Sequence, residues 1–384
     1  MVKILCVSKI PPSAPSGVVT YYKKLYEYFL NDTDVSIDLI TTADASFLQR
    51  KLAGLVRRFI NLFSFRNKKV IKFSTDINLK LTILLALRKY KNINYDIIHA
   101  QDIHSGYITK LFFKSKIPLI LTCHFNDTPV EEDFLLYGFN MKHREYLDKI
   151  YKQKFKEVDE FIFVSKYVYN KSKYLLGEVP KVEVIHNGAD FSNFRRKRKN
   201  NGTLQIVNVG FVEERKNQKI FLSIAKALIQ SNLLDFHITI VGDGHDLPLI
   251  EHMVDKEGLT RYFSFPGWTN EVHEYLKKSD LYIHTALNDN CPYSVIEAIS
   301  NELPVIAFNV GGVPEIVCAE FLFKLNDYKS MTDFIIQNIS RLPKIGEQQH
   351  YKIAKTFSEN YQFRRTKEVY FSLVQKEIPQ LLKL

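Results

Sequence analysis

Cysteine is scarce in this 384-residue chain: Cys6, Cys123, Cys291 and Cys318 are its four, far apart and with no CxxC pair among them. That excludes a disulfide framework and a cysteine zinc site, and it fits a reducing cytoplasm. Long apolar runs are missing as well. The longest, around residues 117–122 and 79–87, are core-sized and fall short of the ~20 residues that a membrane span needs. The apolar start, residues 1–8, is brief, leads into Pro11 and Pro12, and has no small-residue cleavage site. It reads as a buried first strand rather than a signal peptide. With 15 glycines and 13 prolines, collagen-like and low-complexity chains are excluded. What is present is ordinary globular material, 46% hydrophobic and 13% aromatic, in a length that suggests two domains.

The formal net charge of +11 is unevenly spread. Residues 1–190 hold 29 Lys and Arg against 20 Asp and Glu, whereas residues 191–384 hold 24 against 22. The most concentrated stretch is 50–73, with eight cations (Arg50, Lys51, Arg57, Arg58, Arg66, Lys68, Lys69 and Lys72) and no acid. Leu52, Leu55, Val56, Phe59, Leu62 and Phe63 recur among them at helical spacing, so a helix here carries an apolar stripe flanked by positive charge. Such a helix suits an anionic membrane surface, with Arg57, Arg58, Phe59, Phe63, Lys68 and Lys69 as the contact candidates. The competing expectation is that the stripe packs on its own domain. No nucleic-acid-binding motif accompanies the basic run, so nucleic acid is not an expected partner.

Short β-branched runs alternate with helical patterns along the chain. Residues 2–7, 36–41, 97–100, 119–122 and 160–164 read as strands buried on both faces, with helices such as 19–30 and 142–156 between them. The rhythm restarts with strands at 204–210, 236–241, 262–265, 281–285 and 304–307 and helices at 218–231, 245–257 and 292–301. A polar stretch at 187–202 separates the two series. The expected fold is therefore α/β: two doubly wound, Rossmann-like domains, 1–190 and 191–364, facing each other across a cleft. A last helix, about 365–384, is expected to pack back on the first domain. Ligands of such sheets bind outside the C-terminal ends of the strands.

Five constellations sit at those ends. Pro15-Ser16-Gly17 opens a helix after the first strand, where glycine allows close backbone approach to a ligand. His124, in Thr122-Cys123-His124, follows a buried strand; His99 sits similarly, with less to set it apart from a structural histidine. Gly210 ends a strand that leads to Arg215-Lys216, a cationic pair suited to neutralising phosphate. Gly242-Asp243-Gly244 is another turn at a strand end. The most informative is Asp289-Asn290-Cys291-Pro292-Tyr293-Ser294-Val295-Ile296-Glu297. It offers a loop carboxylate for sugar hydroxyls, a helix carboxylate for a ribose, and N–H groups at a helix start for phosphate. The sequence lacks GxGxxG followed by an acidic residue, so a nicotinamide dehydrogenase is poorly supported.

Taken in order, these motifs resemble the retaining nucleotide-sugar glycosyltransferases of family 4, which have the GT-B fold. Also part of the resemblance are Val164-Ser165, His186-Asn187-Gly188-Ala189-Asp190, Phe265-Pro266-Gly267, Ser279-Asp280 and Gly311-Gly312-Val313-Pro314-Glu315. The resemblance implies a catalytic set of His124, Asp289 and Lys216. The implied donor site comprises Gly17, Gly210, Arg215, Lys216, Gly242, Asp289, Tyr293, Ser294, Val295 and Glu297. Lys216 with Arg215 would neutralise the diphosphate, Glu297 would bind the ribose, and Asp289 with backbone N–H groups at 293–295 would hold the sugar and phosphate. Gly17 would shape the floor of the cleft and His124 would touch the transferred sugar.

No cofactor or essential metal is implied; the nucleotide sugar, expected to be UDP-linked, is a co-substrate. The implied acceptor is a saccharide, lipid-linked at the inner face of a membrane, in surface polysaccharide assembly. Two departures stand out: Asp289 replaces the usual glutamate, and Phe211 occupies the position where arginine is common. They leave open a non-catalytic nucleotide-sugar or glycan-binding protein, and a UDP-sugar epimerase is the nearest enzymic alternative.

Overall fold

A computed structural model describes residues 1–63, 67–114, 117–178, 180–192 and 202–381, with side chains described to residue 375. The basic run 195–199 lies outside the described residues. The chain divides into two compact units: Met1–Ile185 together with the segment from Phe363 onward, and His186–Gln362. Residues 186–190 belong to the second unit because they pair with its last segment. Ala189 N–H donates to Phe357 O and Glu359 N–H to Ala189 O, both at 2.9 Å, and Gly188 N–H donates to Gln362 Oε1 at 2.7 Å.

The first unit runs β1 (Val2–Ser8), α1 (Gly17–Phe29), β2 (Val35–Thr41), α2 (Phe47–Leu62), α3 (Lys68–Leu87), β3 (Ile97–Ala100), α4 (Ile103–Phe112) and β4 (Leu119–Cys123). It continues through α5 (Pro129–Leu136), α6 (Met141–Phe155), β5 (Glu160–Phe163), α7 (Lys166–Ser172) and β6 (Val182–Val184). Its sheet is wholly parallel, in the order β2-β1-β3-β4-β5-β6. The central strands β3, β4 and β5 are buried at every position, which is why they read as unbroken apolar runs rather than alternating ones.

The second unit has β7 (Leu204–Val209), α8 (Phe221–Gln230), β8 (Phe236–Val241), α9 (Leu247–Lys256), β9 (Phe263–Gly267) and α10 (Val272–Lys278). Then come β10 (Leu281–His284), α11 (Tyr293–Ser300), β11 (Val305–Phe308), β12 (Leu322–Phe323), α12 (Tyr328–Asn338) and α13 (Leu342–Ile353). This sheet is also parallel, ordered β12-β11-β10-β7-β8-β9. The chain builds outward from β7 in one direction and from β10 in the other. The point where strand order reverses is therefore the β7/β10 pair, which is where a doubly wound sheet leaves a crevice for a ligand.

The last helix, α14 (Glu359–Leu381), is fastened to the first sheet by side chains. Tyr370 Oη meets His99 Nδ1 at 2.6 Å, and Lys367 pairs with Asp32 and Asp34 at 2.8 Å. His99 Nε2 in turn meets Thr122 Oγ1 at 2.7 Å. With both ring nitrogens engaged and no exposure, His99 joins α14 to the sheet and is not open to a ligand.

α2 begins with a capping box in which Ser46 and Gln49 exchange hydrogen bonds. Ala53 is the one buried residue on it, while Leu52, Leu55, Phe59, Leu62 and the adjoining Phe63 are exposed. The apolar stripe is not buried within the unit. Arg57, Arg58, Lys68 and Lys69 are exposed around it, whereas Lys72 is buried between Asp76 and Asp133 at 3.0 and 2.9 Å. Lys68 holds the carbonyl of Gly138, and the Lys69 ammonium lies 5.1 Å from the centre of the Tyr146 ring. Among the described residues no helix is long and apolar enough to cross a membrane.

Candidate active site

The β7/β10 crevice is built from two loops that hold each other. After β7 the chain turns at Gly210, passes through a short 3₁₀ turn at Glu214–Lys216, and leaves it at Asn217 in the left-handed region. Asparagine tolerates that conformation better than most residues. The loop after β10 is stitched to this turn: Thr285 Oγ1 donates to Lys216 O and Leu287 N–H to Arg215 O, each at 2.8 Å. Both ties use backbone carbonyls and leave the two cationic side chains in the crevice.

Two glycines make the crevice possible. Gly242 has a φ of +141°, and a Cβ there would lie 2.0 Å from the carbonyl oxygen of Gly210. Gly311 has a φ of +56°, and its Cβ would lie 2.0 Å from the carbonyl oxygen of Asp289. Any side chain at either position would push a site loop away. Gly312 N–H then donates to that same Asp289 carbonyl at 2.9 Å, and Asn187 Nδ2 donates to Cys291 O at 2.7 Å. The Gly311-Gly312 and His186–Asp190 motifs thus fix the backbone of the Asp289 loop.

The side chain of Asp289 is 9% exposed and Oδ2 lies 2.5 Å from Lys216 Nζ. Oδ1 accepts from Asn290 N–H at 3.1 Å. Burial disfavours its ionisation, but Lys216, His284 and Arg215 outweigh that and hold the carboxyl far below the usual carboxylate range. Arg215 donates to Glu213 Oε1 at 2.6 Å and to Asn288 O at 3.1 Å. α11 starts at Tyr293 after Pro292, with no side-chain cap. Val295 N–H donates to Pro292 O at 3.2 Å, so that donor is already engaged within the turn. Ser294 Oγ accepts from Tyr282 Oη at 2.9 Å. Glu297 lies half-buried one turn further along α11.

Lys216, Asp289, Arg215 and Gly210 therefore come together, with the start of α11 on the same loop as Asp289. Gly17 and His124 belong to the first unit. Gly17 is the first residue of α1, capped by Ser16 Oγ, which accepts from Val18 N–H at 3.3 Å. His124 is half-buried; its Nε2 lies 2.9 Å from Gln101 Oε1 and its ring packs edge-on to Tyr21, 4.7 Å between centres. An amide oxygen only accepts, so Nε2 carries the proton. Burial brings the His124 pKa down to about 3, which keeps the ring neutral.

Sequence reasoning missed one residue of this group, His284. It ends β10, fully buried, with Nε2 3.4 Å from Asp289 Oδ2. An apolar strand offers no signal that its final histidine turns toward a carboxylate five residues later.

Comparison with known proteins gives this geometry its context. The family model described as "Glycosyltransferase Family 4" matches residues 15–193, and "Glycosyl transferases group 1" matches residues 190–356. The chain belongs to the family 4 glycosyltransferases. One relative is the Escherichia coli UDP-Gal:alpha-D-GlcNAc-diphosphoundecaprenol alpha-1,3-galactosyltransferase, 26% identical over 84% of each chain. Another, Staphylococcus aureus protein CapJ, is 28% identical over 45% of this chain and 46% of its own. Among solved structures, sucrose-phosphate synthase from Thermosynechococcus elongatus superimposes with a TM-score of 0.75 at 16% identity, covering 98% of this chain and all of its own. Anabaena HepE in complex with UDP-glucose covers the full length of both chains with a TM-score of 0.63, also at 16% identity. The two parallel six-stranded sheets agree with the expected GT-B class.

Proposed function

We propose that this glycosyltransferase moves a sugar, with retention of anomeric configuration, from a UDP-sugar to a lipid-linked saccharide in surface polysaccharide assembly. The observation that carries the reading is the meeting of Lys216 and Asp289 at the β7/β10 reversal point, 2.5 Å apart. An anion-neutralising group and a hydroxyl-accepting group stand side by side there, as a sugar diphosphate requires. The named relative supplies the acceptor class, since it acts on a diphosphoundecaprenol-linked GlcNAc. HepE supplies the nucleotide, since it is solved with UDP-glucose.

In the proposed step the bond between the sugar C1 and the β-phosphate oxygen breaks. The acceptor oxygen forms its bond to C1 on the same face, and its proton passes to the leaving phosphate. Lys216 and Arg215 stabilise the charge that accumulates on the departing diphosphate, the type of contribution that dominates many transfer reactions. Glu297 holds the ribose, Asp289 the sugar hydroxyls, and the step uses no essential metal. The exposed apolar and cationic face of α2 holds the enzyme peripherally on an anionic membrane, where a lipid-linked acceptor resides.

The test incubates the full chain with UDP-sugars and a detergent-dispersed polyprenyl-diphosphate saccharide, with a chelator present, and reads the product's anomeric configuration by NMR. Retention with undiminished rate is expected. Inversion, or loss of activity to the chelator, contradicts the mechanism. Donor binding without transfer would favour the binding-only alternative.

A further inference from the structure

Among the described residues, His284 is the one side chain with two buried polar atoms that form no hydrogen bond. Neither ring nitrogen forms a hydrogen bond among the described residues, and no part of the mechanism above uses it. A buried polar group without a partner is rare in folded proteins and needs a reason. Its surroundings provide one. Nε2 stands 3.4 Å from Asp289 Oδ2, near enough to act on the carboxylate but without the alignment of a formed hydrogen bond, while Lys216 Nζ holds the same oxygen at 2.5 Å. The other charged groups that act on the imidazole are Lys216 and Arg215, both cationic, while the Tyr282 ring lies roughly parallel at 6.4 Å. Burial, aided by the two cations and opposed by Asp289, holds His284 below the ordinary histidine value and therefore neutral.

This arrangement is self-consistent only while Lys216 stays on Asp289. In the reading proposed above, an incoming diphosphate competes for the same ammonium. Asp289 would then be a buried carboxylate stripped of its nearest cation, a costly state unless another positive partner appears. We propose that His284 is a positioning residue for Asp289: as the donor diphosphate draws Lys216 away, His284 takes a proton from solvent and holds the carboxylate from beneath, aimed at the transferred sugar. The Lys216–Asp289 ion pair is thereby exchanged for a His284–Asp289 pair, and the cationic Lys216 passes to the phosphates. The charge count closes, because one carboxylate gains one proton's worth of positive partner from the imidazole. The proposal rests on the donor-site reading.

Replacing Lys216 imitates its capture without any ligand, so the claim can be tested before the donor is known. The full chain, labelled with ¹⁵N at histidine, is followed by long-range ¹H–¹⁵N spectra across pH, with His284→Gln assigning the resonance. In the wild type His284 should be neutral at pH 7 and titrate below the ordinary histidine value. In Lys216→Met it should become protonated and titrate above about pH 6.5, the ordinary imidazole value. In Lys216→Met with Asp289→Asn it should return to neutral. The other ten of the 11 histidines report whether each variant keeps its fold. A neutral His284 in a folded Lys216→Met protein overturns the proposal. UDP-glucose added to the wild type should produce the same protonation. If the variant protonates and the nucleotide sugar has no effect, the His284–Asp289 link stands and the exchange on that donor is overturned.

Discussion

At the scale of single residues, the site is a set of charges that satisfy one another before any substrate arrives. Asp289, 9% exposed, is held as a carboxylate first by Lys216, 2.5 Å away, with His284 and Arg215 adding to its effect. Lys216→Ala should therefore reduce transfer on the order of 100-fold or more, the loss seen when one preorganised group at a developing anion is removed. Glu297→Ala should also reduce transfer strongly, with an increase in donor KM, while circular dichroism stays that of the wild type. Full activity in either variant would remove that residue from the donor site. Asp289→Glu restores the family's usual residue, and steady-state rates should be equal to or above wild type; a loss beyond tenfold would mean that this site is shaped around the shorter side chain. Much of this group was legible in the sequence because cations and carboxylates stand out at the ends of apolar strands. His284 was not, since burial at the end of Leu281–His284 makes it look like core.

At the scale of elements, the strands were the most readable feature. Ile97–Ala100 and Phe236–Val241 fall where the apolar runs place them: the first is buried at every position, and the second alternates buried Phe236 and Ile238 with half-buried His237 and Thr239 before ending buried. Val182–Val184 and Leu322–Phe323 went unread; they are edge strands of three and two residues, only half-buried, and too short to carry a pattern. The spacing along α2 announced an amphipathic helix, but only coordinates could distinguish an apolar face packed inward from one left in water. That face is outward, with Leu62 75% and Phe59 63% exposed. Neutralising Arg57, Arg58, Lys68 and Lys69 together should weaken sedimentation with phosphatidylserine vesicles by at least tenfold at low salt, since each cation near such a surface contributes about 1 kcal/mol. Donor affinity should not change. Equal vesicle binding by the quadruple variant would separate this helix from membranes.

At the scale of the whole molecule, several histidines are packed as neutral rings. His99 has its pKa lowered to about 3, first by burial and then by nearby His124. Unfolded, such a ring binds a proton near pH 6.5, so between about pH 3 and 6.5 the unfolded state holds more protons and stability falls as pH falls. For His99 the drop from pH 7 to pH 5 is worth about 2 kcal/mol. The thermal midpoint should accordingly fall over that interval, and less so in His99→Gln; an unchanged pH dependence in the variant would show that His99 charges without unfolding. The same histidine ties α14 to the first sheet, a contact across 271 residues that no local pattern reveals.

The central claim is that the crevice between β7 and β10 binds a UDP-sugar through Lys216. Its most direct test is thermal unfolding of the wild type and Lys216→Ala against UDP, GDP, ADP and CMP and their common sugars. A ligand at 100 times its dissociation constant stabilises by about 2.7 kcal/mol, which raises the midpoint by several degrees. The account predicts that UDP and one or more UDP-sugars raise the wild-type midpoint, that the other nucleotides do not, and that the shift is lost in Lys216→Ala. No shift with any UDP compound, or an equal shift in the variant, would contradict it.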